Sequence, residues 1–255
     1  MRLFDTHAHI TDTRYGNDQA EMLHLCTEAG VELILCPGVD METSHLGVEL
    51  ANQYTQVYAS VGIHPEDATD VTEEDYEKLY QYGKEEEKVV AIGEIGLDYY
   101  WKTVSPEEQA KVLVRQMDIA RELNLPIIVH DREAHDDLLR LLQTEGKGVR
   151  GILHCFSGDM ELAKAAMKLD YFISFAGNVV FPKAVELKEI ASQIPMSHLL
   201  IETDSPYLTP PPFRGRRNSP ANVQYVAMEI AKLRHMNSDE VAYETLLNGK
   251  RCFGI

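Results

Sequence analysis

The 255-residue chain is poor in cysteine, in positive charge and in long apolar runs. Its four cysteines (Cys26, Cys36, Cys155 and Cys252) form no CxxC pair and no regular spacing. That argues against a disulfide framework or a cysteine zinc site and fits reduced thiols in a cytoplasmic protein. No apolar stretch approaches the ~18 residues of a membrane span. The opening MRLFDTHAHITD puts Asp5 and further polar side chains where a secretory leader would be apolar, so no leader is expected. Lysine and arginine total 24 against 41 aspartates and glutamates, a net charge of -17. Such a chain repels nucleic acid over most of its surface, which excludes tight non-specific binding but not a local site assisted by cations. GxSxG, P-loop and GxGxxG patterns are all missing, and with them the corresponding hydrolase, NTPase and dinucleotide chemistries.

What is present is an alternation of short β-rich runs and helical stretches. Strands are predicted at 3–6, 33–36, 57–61, 89–92, 127–129, 151–153, 171–174 and 199–201, mostly apolar and without clean two-residue alternation. That is the pattern of a parallel sheet covered by helices. The clearest helix starts at Ser105-Pro106-Glu107-Glu108, where Ser105 caps, Pro106 takes the first turn and Glu108 completes a capping box. Eight such units match one α/β domain over residues 1–255, a (β/α)8 TIM barrel. A doubly wound sheet would need a glycine-rich first turn, and this one reads Asp5-Thr6-His7-Ala8-His9.

Barrel active sites lie at the C-terminal ends of the strands. His7 and His9 follow strand one, His64 strand three, Glu94 strand four, His130 strand five, His154 strand six and Asp204 strand eight. Imidazoles and carboxylates gathered on one rim point to bound divalent cations, with zinc, magnesium, manganese and iron all compatible. Cys155 adjoins His154, but neighbours on a strand face opposite ways, so they make no nucleophilic dyad.

The segments FDTHAHI (4–10), GIHP (62–65), AIGEIGLDYY (91–100), LPIIVHDREA (125–134), ILHCFSG (152–158) and IETDSPYLTPPPFRGRRNSP (201–220) resemble the TatD family of metal-dependent hydrolases over essentially the whole chain. The resemblance implies a barrel with two divalent ions and hydrolysis of DNA phosphodiesters by a metal-activated water, as an exonuclease. It implies His7, His9 and Asp204 on one ion, His130 and His154 on the other, and Glu94 as the bridge, with Glu94 and Asp204 catalytic. A strand end or single strand of DNA is the expected partner, with no membrane and no obligate protein partner. An amide, ester or lactone is the alternative substrate, because the same centre attacks carbonyl carbon.

Six further residues are expected at the substrate, each with an ordinary alternative. His64 donates to a phosphate or anchors the Pro65 turn. Arg132 reaches substrate or caps its strand. Glu202 orients a ligand or packs against the barrel. Arg214, Arg216 and Arg217 form the one dense basic cluster, a phosphate clamp or a solvated loop. Tyr99, Tyr100 and Trp101 offer stacking faces or pack beneath the loop.

Overall fold

Eight parallel strands follow one another around the sheet in chain order, β1 (Leu3–Asp5), β2 (Val31–Pro37), β3 (Val57–Val61), β4 (Val89–Asp98), β5 (Ile127–Arg132), β6 (Gly151–Leu153), β7 (Tyr171–Phe175) and β8 (Leu199–Ile201). This computed structural model describes residues 1–16 and 18–255. Past the strand ends β8 meets β1: Thr6 N–H donates to Ile201 O at 3.3 Å, Asp204 N–H to His7 O, and Ala8 bridges Ser205. The barrel closes on the segments that carry His7, His9 and Asp204.

Phe4, Leu35, Ala91, Ile128, Ile152, Phe172 and Leu200, one from each of seven strands, fill a buried cluster. The C-terminal helix α9 (Ser238–Phe253), following α8 (Val223–Arg234), adds Leu246, Cys252 and Phe253 to it. The remaining helices, α1 (Gln19–Glu28), α2 (Met41–Gln53), α3 (Glu73–Glu85), α4 (Pro106–Leu123), α5 (His135–Thr144), α6 (Met160–Lys168) and α7 (Val185–Gln193), alternate with the strands. The expected α4 start is present: Ser105 Oγ accepts from Glu108 N–H and Glu108 reaches back to Ser105. Asn124, in the left-handed region at φ 55°, ends it ahead of Leu125-Pro126.

All eight expected strands are present; β2, β4, β5 and β7 run past their predicted bounds, and in β4 and β5 the extension carries site residues. β4 continues through Asp98 and β5 through Arg132, so Glu94 and His130 lie inside strands. Between β4 and β5 the pairing advances from Ile92↔Ile127 to Ile95↔Val129, one extra residue on β4. Such a bulge re-aims the side chains beside it, and Glu94 is one of them. Gly96 follows at φ 151°, where a Cβ would sit 2.0 Å from His130 O. Only glycine lets β4 press this closely on β5 next to His130.

Candidate metal centre

Glu94 is the hub. Its carboxylate is 3% exposed and its two oxygens face different histidines. Oε2 is 3.2 Å from His7 Nε2 and 3.6 Å from His9 Nε2. Oε1 is 2.8 Å from His154 Nε2, 3.0 Å from His130 Nδ1 and 3.4 Å from His64 Nε2. Asp204 Oδ1 completes the first group, 3.3 Å from His9 Nε2. Asp204 sits at φ 53°, a conformation that costs a non-glycine residue roughly 1–3 kcal/mol and is held here by the β8–β1 junction.

Carboxylates behind the imidazoles fix their rings. Asp98 Oδ2 is 2.9 Å from His130 Nε2, and Glu202 Oε1 is 3.3 Å from His154 Nδ1. A histidine held by a carboxylate on one nitrogen presents the other to a cation, the usual arrangement around a bound metal. Donor atoms of His7, His9 and Asp204 lie within 4.8 Å of one another, as do those of His64, Glu94 and His130. His7 Nε2 and His9 Nε2 face each other at 3.2 Å, and the buried His7 Nδ1 has no hydrogen-bond partner among the described residues. Nitrogen and oxygen lone pairs converging in this way suit a divalent cation of the zinc, manganese, iron or magnesium type.

The charges compensate one another. Burial pushes the Glu94 carboxyl up, but the charges of His154 and His7 and hydrogen bonds from His130 and His154 hold it well below the carboxylate range. Burial also works against a charged His154, yet Glu94 and Glu202 raise it well above the ordinary imidazole value. Burial, then the charge of Asp204, Glu202 and Glu94, pushes the Cys155 thiol well above its ordinary value, which disfavours the thiolate.

The centre floors a cleft of about 850 Å³ at the strand ends. His9, His64, Glu94, His130, His154 and Asp204 all reach it, as does Arg132. Other expected substrate contacts are used elsewhere. Glu202 is fully buried, accepting from Cys155 N–H at 2.6 Å and Ser174 Oγ–H at 2.5 Å, with Oε1 3.3 Å from His154 Nδ1, and it does not line the cleft. Arg217 chelates Asp18, donates to Arg14 O and lies 4.7 Å above the Tyr15 ring. Arg214 stacks 4.2 Å over Phe181. Among the described residues none of Arg214, Arg216 and Arg217 lines the cleft. Arg214 and Arg217, expected in a phosphate clamp, thus each have a local partner for the guanidinium group. Tyr99 is tied down too, donating its hydroxyl to Asp137 at 3.0 Å.

Asp98 escaped the sequence reading. Its signal is the period of two in Glu94-x-Gly96-x-Asp98, which becomes visible only because β4 continues past Ile92.

The family model described as TatD related DNase matches residues 4–254. The uncharacterized metal-dependent hydrolase YabD of Bacillus subtilis is 45% identical over 99% of each chain. The 3'-5' ssDNA/RNA exonuclease TatD of Escherichia coli K12 is 34% identical, again over 99% of each. The crystal structure of YjjV, a TatD homolog from E. coli K12, superposes with a TM-score of 0.93 at 31% identity, covering 100% of this chain and 98% of that one. No helix among the described residues is long and apolar enough to cross a membrane.

Proposed function

Since the chain belongs to the TatD family of metal-dependent hydrolases, we propose that it hydrolyses phosphodiester bonds of single-stranded DNA, working inward from a strand end. The observation that carries this reading is the division of the Glu94 oxygens between two histidine groups. It supports His7, His9 and Asp204 as ligands of one divalent ion, His130 and His154 as ligands of a second, and Glu94 as the bridge. Two such ions, when bound, neutralise charge on a phosphoryl group and acidify water.

The chain's own groups supply positioning and proton transfer. Asp204 opens onto the cleft, where its position allows it to accept the proton of the attacking water; burial pushes its carboxyl up, and hydrogen bonding and charge from His9 bring it below the ordinary value. His64 Nδ1 accepts from Glu66 N–H at 3.2 Å, which leaves the proton on Nε2, the nitrogen that faces Glu94 Oε1 at 3.4 Å and borders the cleft, where it can be offered to a phosphate oxygen of the substrate. Arg132 is the guanidinium at the cleft and serves a flanking phosphate. Arg216 is exposed, with no side-chain partner among the described residues, and is the loop arginine left for a distal phosphate. Arg216→Ala is expected to lower the slope of log affinity against log salt by about 0.7 on single strands. An unchanged slope would remove Arg216 from the interface.

The scarcity of cationic side chains in the cleft favours a second reading, an uncharged amide, ester or lactone substrate. Single-turnover assays on 5'-labelled single-stranded DNA, beside p-nitrophenyl esters and phosphodiesters, decide between the two. Shortening of the labelled strand is expected. Ester turnover with intact DNA would establish the second reading.

A further inference from the structure

Apart from the metal-ligand cluster, the cleft has little to hold a polyanion by charge. Outside that cluster its described lining has four carboxylates, Asp12, Glu66, Asp67 and Asp131, against one guanidinium, Arg132. With only Arg132 in the cleft and Arg216 outside it to meet phosphates, much of the affinity for a strand extending beyond the centre must come from elsewhere, and the face of the base is a handle that every nucleotide offers.

Two exposed aromatic rings line the same cleft. Trp101 is 51% exposed and Tyr207 is 47% exposed. Trp101 follows β4 and Tyr207 follows β8, positions half a turn apart in a barrel ordered β1 to β8, so the rings flank the centre from opposite rims. Each is braced by an arginine. Arg132 lies 3.8 Å over the Tyr100 ring and 5.6 Å from that of Trp101, and Arg14 lies 4.1 Å over Tyr207. Tyr100 meets Trp101 edge-on at 4.9 Å.

The Trp101 rim is also tied to the centre by one carboxylate. Asp98 Oδ1 accepts from Tyr100 N–H at 2.9 Å and Trp101 N–H at 3.1 Å, while Oδ2 faces His130 at 2.9 Å. A large ring left half in water, yet held in register with the site, is positioned for a ligand and contributes nothing to the core.

We propose that Trp101 and Tyr207 are stacking platforms for unpaired nucleobases of a strand laid across the cleft, one base on each side of the scissile phosphate. The stacked Tyr100 holds the Arg132 guanidinium in place while its N–H groups stay available to the backbone. This inference rests on the nuclease reading. It adds that the bases, more than the phosphates, carry binding outside the centre. Stacking needs an exposed base face, so paired duplex is rejected at this mouth.

Trp101 is the chain's one tryptophan, so its fluorescence reports directly on that platform. The metal-loaded protein would be titrated with a hydrolysis-resistant phosphorothioate oligothymidylate and with a matched oligomer abasic at its terminal positions. Saturable quenching is expected with the first, and at least about ten-fold weaker binding with the second. In parallel, kcat/KM for the oligonucleotide would be divided by that for a minimal phosphodiester. Trp101→Ala should lower this ratio roughly ten-fold through KM, and Trp101→Phe should recover most of it. Normal cleavage of the oligonucleotide with no quenching and an unchanged ratio overturns the platform and leaves the nuclease reading intact. Base-dependent quenching with neither substrate hydrolysed keeps the platform and overturns the nuclease reading.

Discussion

Replacing Glu94 with Ala is expected to weaken both proposed metal ions together and to lower kcat by roughly a thousand-fold or more. The magnitude follows from the several kcal/mol that metal ions contribute to charge stabilisation, at about 1.4 kcal/mol per factor of ten. The joint loss follows from geometry, since one carboxylate faces His7 and His9 through Oε2 and His130 and His154 through Oε1. Metal analysis after dialysis against limiting zinc or manganese checks it. Two ions retained at wild-type affinity would refute the bridge. Chelation of the wild-type protein should abolish turnover and leave cooperative melting in place. The apolar cluster around Phe4, Leu35, Ile128, Leu200 and Phe253 includes none of these ligands. Unfolding on chelation would show the ions to be structural.

Glu202→Ala is expected to damage stability and metal affinity at once. Its side chain is fully buried and accepts from Cys155 N–H and Ser174 Oγ–H. Each buried donor left without an acceptor costs about 1–3 kcal/mol. Ser174 has Thr6 Oγ1 at 3.4 Å as a substitute, whereas Cys155 N–H has no other recorded partner among the described residues. A net loss of about 2–4 kcal/mol should appear as a lower urea midpoint at unchanged m value. His154 loses the carboxylate behind Nδ1, and metal affinity should fall about 10–100-fold. Glu202→Gln retains an acceptor for Cys155 and should recover most of the stability but less of the affinity. A midpoint and metal affinity both equal to wild type would show that Glu202 is neither a structural anchor nor a positioning residue.

These two glutamates mark where reading along the chain stops being sufficient. Glu94 was legible as a site residue because it follows an apolar strand at the rim that strands one, five, six and eight also reach. Glu202 was legible as a residue near Asp204, but its direction was not. It turns inward to His154, Ser174 and Cys155, distant in sequence and brought beside it by the order of strands β6, β7 and β8.

The sequence by itself determined the barrel, because eight apolar runs at α/β spacing leave few other ways to bury them, and it located His7, His9, His64, His130, His154 and Asp204, which now surround Glu94, though not Asp98. Tertiary structure decided the rest. The extra residue in β4 aimed Glu94 into the mouth, and the continued alternation put Asp98 behind His130. Arg217, the acidic chain's promising phosphate ligand, was taken by Asp18, and Arg214 by Phe181. Trp101 and Tyr207 came to face one cleft only because β4 and β8 stand opposite each other. The physical reason is common to these cases: spacing along a chain fixes which face of an element a side chain occupies, while its partner is set by elements up to about two hundred residues away, through contacts that form only when the barrel closes.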